Sequence, residues 1–139
     1  MRKDILLVIT LAIVIIVLLL VLLLIPAKKS VVSNGIQINS PVPNEEISPP
    51  MTIIGIVDGN GWSGFEGQVG SVKLLDSNGV EIISGPLTAT SEWTKLPTSF
   101  RTVLDFDAGS GNAILVFHNE NPSGDPTRDK TFILPIKLK

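Results

Sequence analysis

The stretch SVKLLDSNGVEIIS, residues 71–84, sets two short apolar-rich runs on either side of Asp76-Ser77-Asn78-Gly79. Asn and Gly accept the positive φ that tight hairpin turns require, so these residues read as two antiparallel strands and their turn. Toward the N-terminus, residues 51–57 form a β-branched run ended by Asp58-Gly59-Asn60-Gly61, and residues 36–39 alternate before Pro41 to Asn44 interrupt. Toward the C-terminus, residues 87–90, 99–106, 113–118 and 131–138 are further strand segments, each bounded by turn residues. Phe100, Thr102, Leu104 and Phe106 fall on one face and Arg101, Val103 and Asp105 on the other; Phe132, Leu134, Ile136 and Leu138 repeat the pattern. Pro135 has no amide donor, which predicts a sheet edge or a bulge at that point. Gly55, inside a strand, predicts a bulge or a close backbone contact rather than a ligand site. About seven short strands in ~100 residues, with no helix-period stretch among them, predict an all-β fold, an Ig-like antiparallel β-sandwich, with a small barrel as the alternative.

A different material precedes this domain. Residues 5–25 are apolar at every position except Thr10. At ~1.5 Å rise per residue, a helix of that length matches the ~30 Å hydrocarbon core of a bilayer. A cleavable signal has an apolar region of about 7 to 15 residues and ends at a small-x-small site. The longer run here, followed by Pro26 and Lys28-Lys29, predicts an uncleaved single-pass anchor. Arg2 and Lys3 balance Lys28 and Lys29, so charge alone does not set its orientation. Thr10 reads as a helix residue that returns its hydroxyl to a carbonyl one turn back.

The chain carries 11 basic and 13 acidic residues, and only seven of the basic ones, against twelve acids, lie after residue 29. A soluble part with excess acid argues against a nucleic-acid partner. The absence of Cys excludes disulfides, thiol catalysis and Cys-ligated zinc. His118 is the sole His, and no Gly-x-Ser-x-Gly surrounds Ser63, Ser110 or Ser123. His118 therefore reads as a strand-end polar residue rather than a catalytic base. Residues 58–61 and 105–109 resemble pieces of calcium loops, but Val69 and Val116 stand where a bidentate Glu is required, and turn chemistry explains both. No cofactor and no metal are expected. Glu66 and Glu120 are the one carboxylate pair that a glycan hydrolase could use. Trp62 and Trp93 are expected to pack in the core or at its rim on the rule that large aromatics are mostly buried, with stacking on a sugar ring as the other reading, and Phe65 is expected in the core.

Four segments carry a family resemblance: Gly61-Trp62-Ser63-Gly64-Phe65-Glu66-Gly67, Leu75-Asp76-Ser77-Asn78-Gly79, Gly85-Pro86 followed by Trp93, and Asn121-Pro122-Ser123-Gly124 followed by Pro135. Together they resemble the immunoglobulin-like domain of bacterial spore germination, over residues 36–139. The resemblance implies a bacterial, extracytoplasmic β-sandwich without known catalytic activity, often attached to other envelope or germination modules. On this reading the chain comprises a tail (1–4), a transmembrane helix (5–25), a linker (26–35) and the Ig-like domain (36–139). It is expected in the cell membrane with residues 30–139 outside, as a non-catalytic binding or assembly module. A cell-wall glycan-binding module and a structural subunit of a membrane complex are the alternatives. In an Ig-like sandwich the two longest loops, 58–70 and 119–130, meet at one end, and that end is expected to face the membrane. Trp62, Glu66, Asn121 and Ser123 are the binding surface this predicts, for a membrane-proximal protein or glycan.

Overall fold

The computed structural model of the chain describes residues 1–24 and 29–139. The end of the expected span at Ile25 and the first linker residues, 26–28, lie outside the described residues. Helix α1, Arg2–Leu23, has 22 residues and no buried side chain. At ~1.5 Å per residue it is ~33 Å long, so length and composition make it a candidate membrane anchor. Thr10 Oγ1 donates to the Leu6 carbonyl at 2.8 Å, as the sequence suggests.

The rest is β-structure: β1 Val31–Ser33, β2 Ile36–Ser40, β3 Glu46–Ile47, β4 Met51–Val57, β5 Gln68–Asp76, β6 Glu81–Ala89, β7 Thr98–Leu104, β8 Gly111–Asn119 and β9 Thr131–Leu138. They form one curled sheet in the order β1-β2-β4-β7-β6-β5-β8-β9-β3. The two halves join only where Thr88 and Ala89 of β6 pair with Arg101 and Phe100 of β7. Their inward faces share one core, with Ile38, Ile53 and Phe100 from one half and Leu74, Leu115, Phe117 and Ile136 from the other. Each such side chain contributes about 1.5–3 kcal/mol by leaving water. The Ig-like sandwich expected from the alternation is the fold observed.

Alternation sets the inward residues. Along β7, Thr98, Phe100, Thr102 and Leu104 are buried while Arg101 and Val103 are exposed. The strand ends at Leu104, so Phe106, expected on the same face, lies beyond it and is half-buried. Residues 80–84 and 87–90, expected as two strands, are largely one, because β6 runs through Gly85 and Pro86. Residues 31–33, expected in the linker, form β1 instead, antiparallel to β2 with Val31 opposite Ile38. β1 runs toward the turn at 33–36, so the chain does not enter the sheet at the end where β2 begins. The expectation that the first strand begins at this end is corrected accordingly.

At the hairpin of β5 and β6 only Gly79 takes positive φ, at 78°. Asp76 Oδ1 accepts the amides of Asn78 at 2.8 Å and Val80 at 2.9 Å, which holds the turn. β2 pairs with β4, whereas β3 runs parallel to β9 on the other half, so the chain crosses between the halves at residues 41–45. The Asn44 amide donates to the Pro135 carbonyl at 2.8 Å, and the Lys137 amide to the Glu45 carbonyl at 2.9 Å. Pro135 thus sits where the two-residue β3 ladder runs out, and its missing donor faces that local edge.

Gly55 lies opposite Phe100 in the β4–β7 ladder. A Cβ there would overlap the Gln37 carbonyl and lie 2.5 Å from Phe100 Cζ, so the close contact expected from the sequence is present. Gly55→Ala is expected to lower unfolding free energy by about 2–3 kcal/mol, as overpacking of a core does. Gly79→Ala has open space and loses only about 1–2 kcal/mol through its left-handed backbone. Denaturant titration of both variants measures the difference; equal losses would mean that the ring shifts off Gly55 without cost.

Candidate functional site

Four connections converge at one end of the sandwich: the 33–36 turn and the segments 58–67, 90–97 and 119–130. The Asp58 amide donates to the Gly35 carbonyl at 2.8 Å, and the Ala89 amide to the Gly67 carbonyl at 2.9 Å. Gly64 packs so closely on the Trp93 backbone that a Cβ would overlap it. Asn119 Nδ2 reaches the Gly61 carbonyl at 2.7 Å.

Segment 58–67 is built from two successive two-residue turns. Gly59 and Trp62 exchange backbone hydrogen bonds of 3.1 and 2.9 Å around Asn60 and Gly61, with φ of 53° and 91°. Phe65 and Gln68 exchange bonds of 2.8 and 3.0 Å around Glu66 and Gly67, with φ of 50° and 84°. Both have the positive φ pair of the type I′ hairpin turn. The first turn swings Trp62 inward, where it closes the end of the core at 2% exposure. Trp62 is therefore a core residue, and its place in the expected binding surface is corrected: the indole presents no face to solvent. Phe65, expected in the core, is 41% exposed, and Trp93, expected in the core or at its rim, is 38% exposed. Both stand on segments that project past the strand ends, where no facing strand covers them. Leu96, which the sequence reading passed over, is 45% exposed in the same connection as Trp93. Its signal was a single Leu beside Pro97 in an otherwise polar stretch.

Segment 119–130 lines a polar pocket of about 360 Å³ together with Gly61 and Ser63. Asn119 Nδ2 also donates to the Arg128 carbonyl at 3.0 Å, and its Oδ1 accepts the Lys130 amide at 2.8 Å. Asn121 Nδ2 donates to the Asp125 carbonyl at 2.8 Å and to Asp129 Oδ1 at 2.6 Å. Ser123 Oγ donates to Asn121 Oδ1 at 2.6 Å and accepts the Asp125 amide at 3.3 Å. Asn121 and Ser123 are thus brought together as expected, but their hydrogen bonds hold their own loop. Glu66 stands apart from them at the tip of the second turn, outside the pocket lining, which does include Glu120. His118, at the end of β8, shares a hydrogen bond of 3.3 Å between its Nδ1 and Thr131 Oγ1 on β9.

Asp125 caps the 3₁₀ turn Pro126–Arg128. The Thr127 amide and hydroxyl donate to its Oδ1 at 2.9 and 2.8 Å and hold the carboxyl below its ordinary pKa. A lowered folded-state pKa contributes stability above the unfolded pKa of about 3.9, and that contribution is lost as pH falls through the lower folded value. Among the described residues no cluster of three or more His, Asp or Glu groups is arranged to hold a metal ion.

A family model for the immunoglobulin-like domain of bacterial spore germination matches residues 35–125. The match runs from β2 through the Asn121 to Gly124 turn and stops short of β9, whereas the sequence resemblance extends to Lys139. Comparison with curated proteins and with solved structures gave no match.

Two substitutions should move thermal stability in opposite directions. Asn119→Ala removes the bridge between the two loops and is expected to cost about 1–3 kcal/mol. Glu66→Asn relieves a left-handed residue, the conformation that Asn60 already holds in the first turn, and is expected to gain about 0.5–1 kcal/mol. Melting of each variant checks this; a loss with Glu66→Asn would show that the carboxylate makes a stabilising contact.

Proposed function

The chain belongs to the family of immunoglobulin-like domains of bacterial spore germination, and on that premise we propose that it is a single-pass, non-catalytic envelope protein holding its Ig-like domain outside the cytoplasm for binding or assembly. The observation that carries this reading is α1, 22 residues long with no side chain buried by the domain. An apolar surface of that extent needs a solvent other than water. The excess of acid after residue 29 accords with a domain held off anionic lipid.

The binding surface in this reading is the tip formed by Phe65, Trp93 and Leu96, in place of Trp62, Asn121 and Ser123. Half-exposed aromatics on a braced loop are the usual anchors of an interface. The Trp93 loop is braced: the Ser99 amide donates to Ser91 Oγ at 2.9 Å, Thr98 Oγ1 donates to the Lys95 carbonyl at 2.9 Å, and Lys95 Nζ lies 3.3 Å from Glu92. An envelope protein is the first partner class. A cell-wall glycan is the second, favoured by the exposed Trp93 face, on which a sugar ring can stack.

Protease added to intact protoplasts is expected to remove the β domain, and its full protection would reverse the orientation. A photo-crosslinking residue in place of Trp93 should capture the partner in native cells, whereas one in place of Asn121 should not. A protein adduct supports assembly, a glycan adduct supports the second reading, and capture through Asn121 alone would return the site to the polar pocket.

A further inference from the structure

Beyond the tip, the outer edge of β6 has no partner strand over most of its length. β6 pairs with β5 along most of its length on one side, with a bulge at Ile82, but its ladder with β7 on the other holds only Thr88 and Ala89. Pro86 has no amide to continue that ladder, and its carbonyl is taken by Thr102 Oγ1 at 2.5 Å. Since the Pro86 carbonyl points to the β7 side, alternation points the backbone groups of Ser84 the same way, as far as the bulge at Ile82, where Leu74 and Leu75 pair with Ile83 and Glu81. Among the described residues no strand meets Ser84 there. Past Pro86 the two edges part, leaving a gap of about 370 Å³ lined by Ile82, Ile83, Asp105, Phe106 and Asp107.

We propose that this gap accepts an extended peptide segment of another protein, added as a strand to the edge of β6, with apolar and basic side chains alternating along it. Strand addition uses the main-chain groups of an open edge for affinity and alternate side-chain positions for specificity. The edge carries little charge: residues 80–85 hold one charged residue, Glu81, and Lys73 Nζ on β5 already pairs with it at 3.2 Å, so Pro86 and the bulge at Ile82 are the features that guard it. Val80 and Ile82 are exposed along it. Across the gap the half-buried Phe106 faces inward, while Asp105 and Asp107 on either side of it are exposed. An added strand therefore meets an apolar inner face and an acidic outer one, which selects Val-like residues at one parity and Lys or Arg at the other. A second copy of this chain fits less well, because its β6 would bring Glu81 toward the two aspartates.

The test uses the full chain in detergent micelles and the blocked peptide Val-Lys-Val-Lys-Val-Lys. Saturating peptide is expected to slow amide exchange at Ser84 at least tenfold. The all-Glu analogue and a peptide N-methylated at alternate amides should leave that amide unchanged. Asp105→Asn with Asp107→Asn, exposed positions that spare the fold, should weaken binding roughly threefold to tenfold and reduce its salt dependence. Unchanged exchange at Ser84 would overturn the proposal, as would equal protection by the Glu peptide. Protection of this amide without peptide that rises with protein concentration would also overturn it, by making a second copy the occupant.

Discussion

Pro86 supplies no amide hydrogen, and it stands at the seam where one nine-stranded sheet becomes two facing halves. With only Thr88 and Ala89 left to pair with β7, the sheet bends at that point and closes over its own apolar side chains. Phe100, at the seam, covers Gly55, whose missing side chain lets the ring lie against the β4 backbone. Thr102, buried beside it, has a hydroxyl to satisfy, and the Pro86 carbonyl takes it. The constraint that stops the ladder and the group that satisfies the gap are thus the same residue.

The converging connections at one end follow from short-range rules applied twice. Asn60-Gly61 and Glu66-Gly67 make two turns of the same hand within one connection, and between them Trp62 is carried inward while Phe65 is left outside. The Asn121 to Gly124 loop turns the side chains of Asn121 and Ser123 on its own backbone and on Asp129, so a segment with a specific residue pattern spends that pattern on its own shape. Exposure of aromatic surface, rather than density of polar residues, separates the two candidate surfaces at this end.

Strand 131–138 was legible in the sequence because alternation of period two is a local signal, and strand 51–57 because a β-branched run ended by turn residues is another. Gly55 and Pro135 were legible for the same reason, since each breaks a strand rule at a definite place. β1 and β3 were not, being three and two residues long and defined only by partners distant in the chain. Gly85-Pro86 looked like a break between strands because proline is barred from central ladders; β6 tolerates it because the affected side faces an opening. The fates of Trp62 and Trp93 could not be told apart from composition, since the direction of each side chain depends on left-handed turn residues and on the strand ends around it.

β1 also has a mechanical reading. It is held by three residue pairs with β2 and lies at the outer edge of the sheet, directly after the segment that leads from α1. A pull transmitted through residue 30 against a domain held at its tip loads β1 before any core strand. Its detachment frees residues 31–34, ~13–14 Å of extended chain, while β2 and the buried core remain in place. The edge hairpin is then an extensible tether that yields under tension before the fold does, and it can re-form when the load is removed.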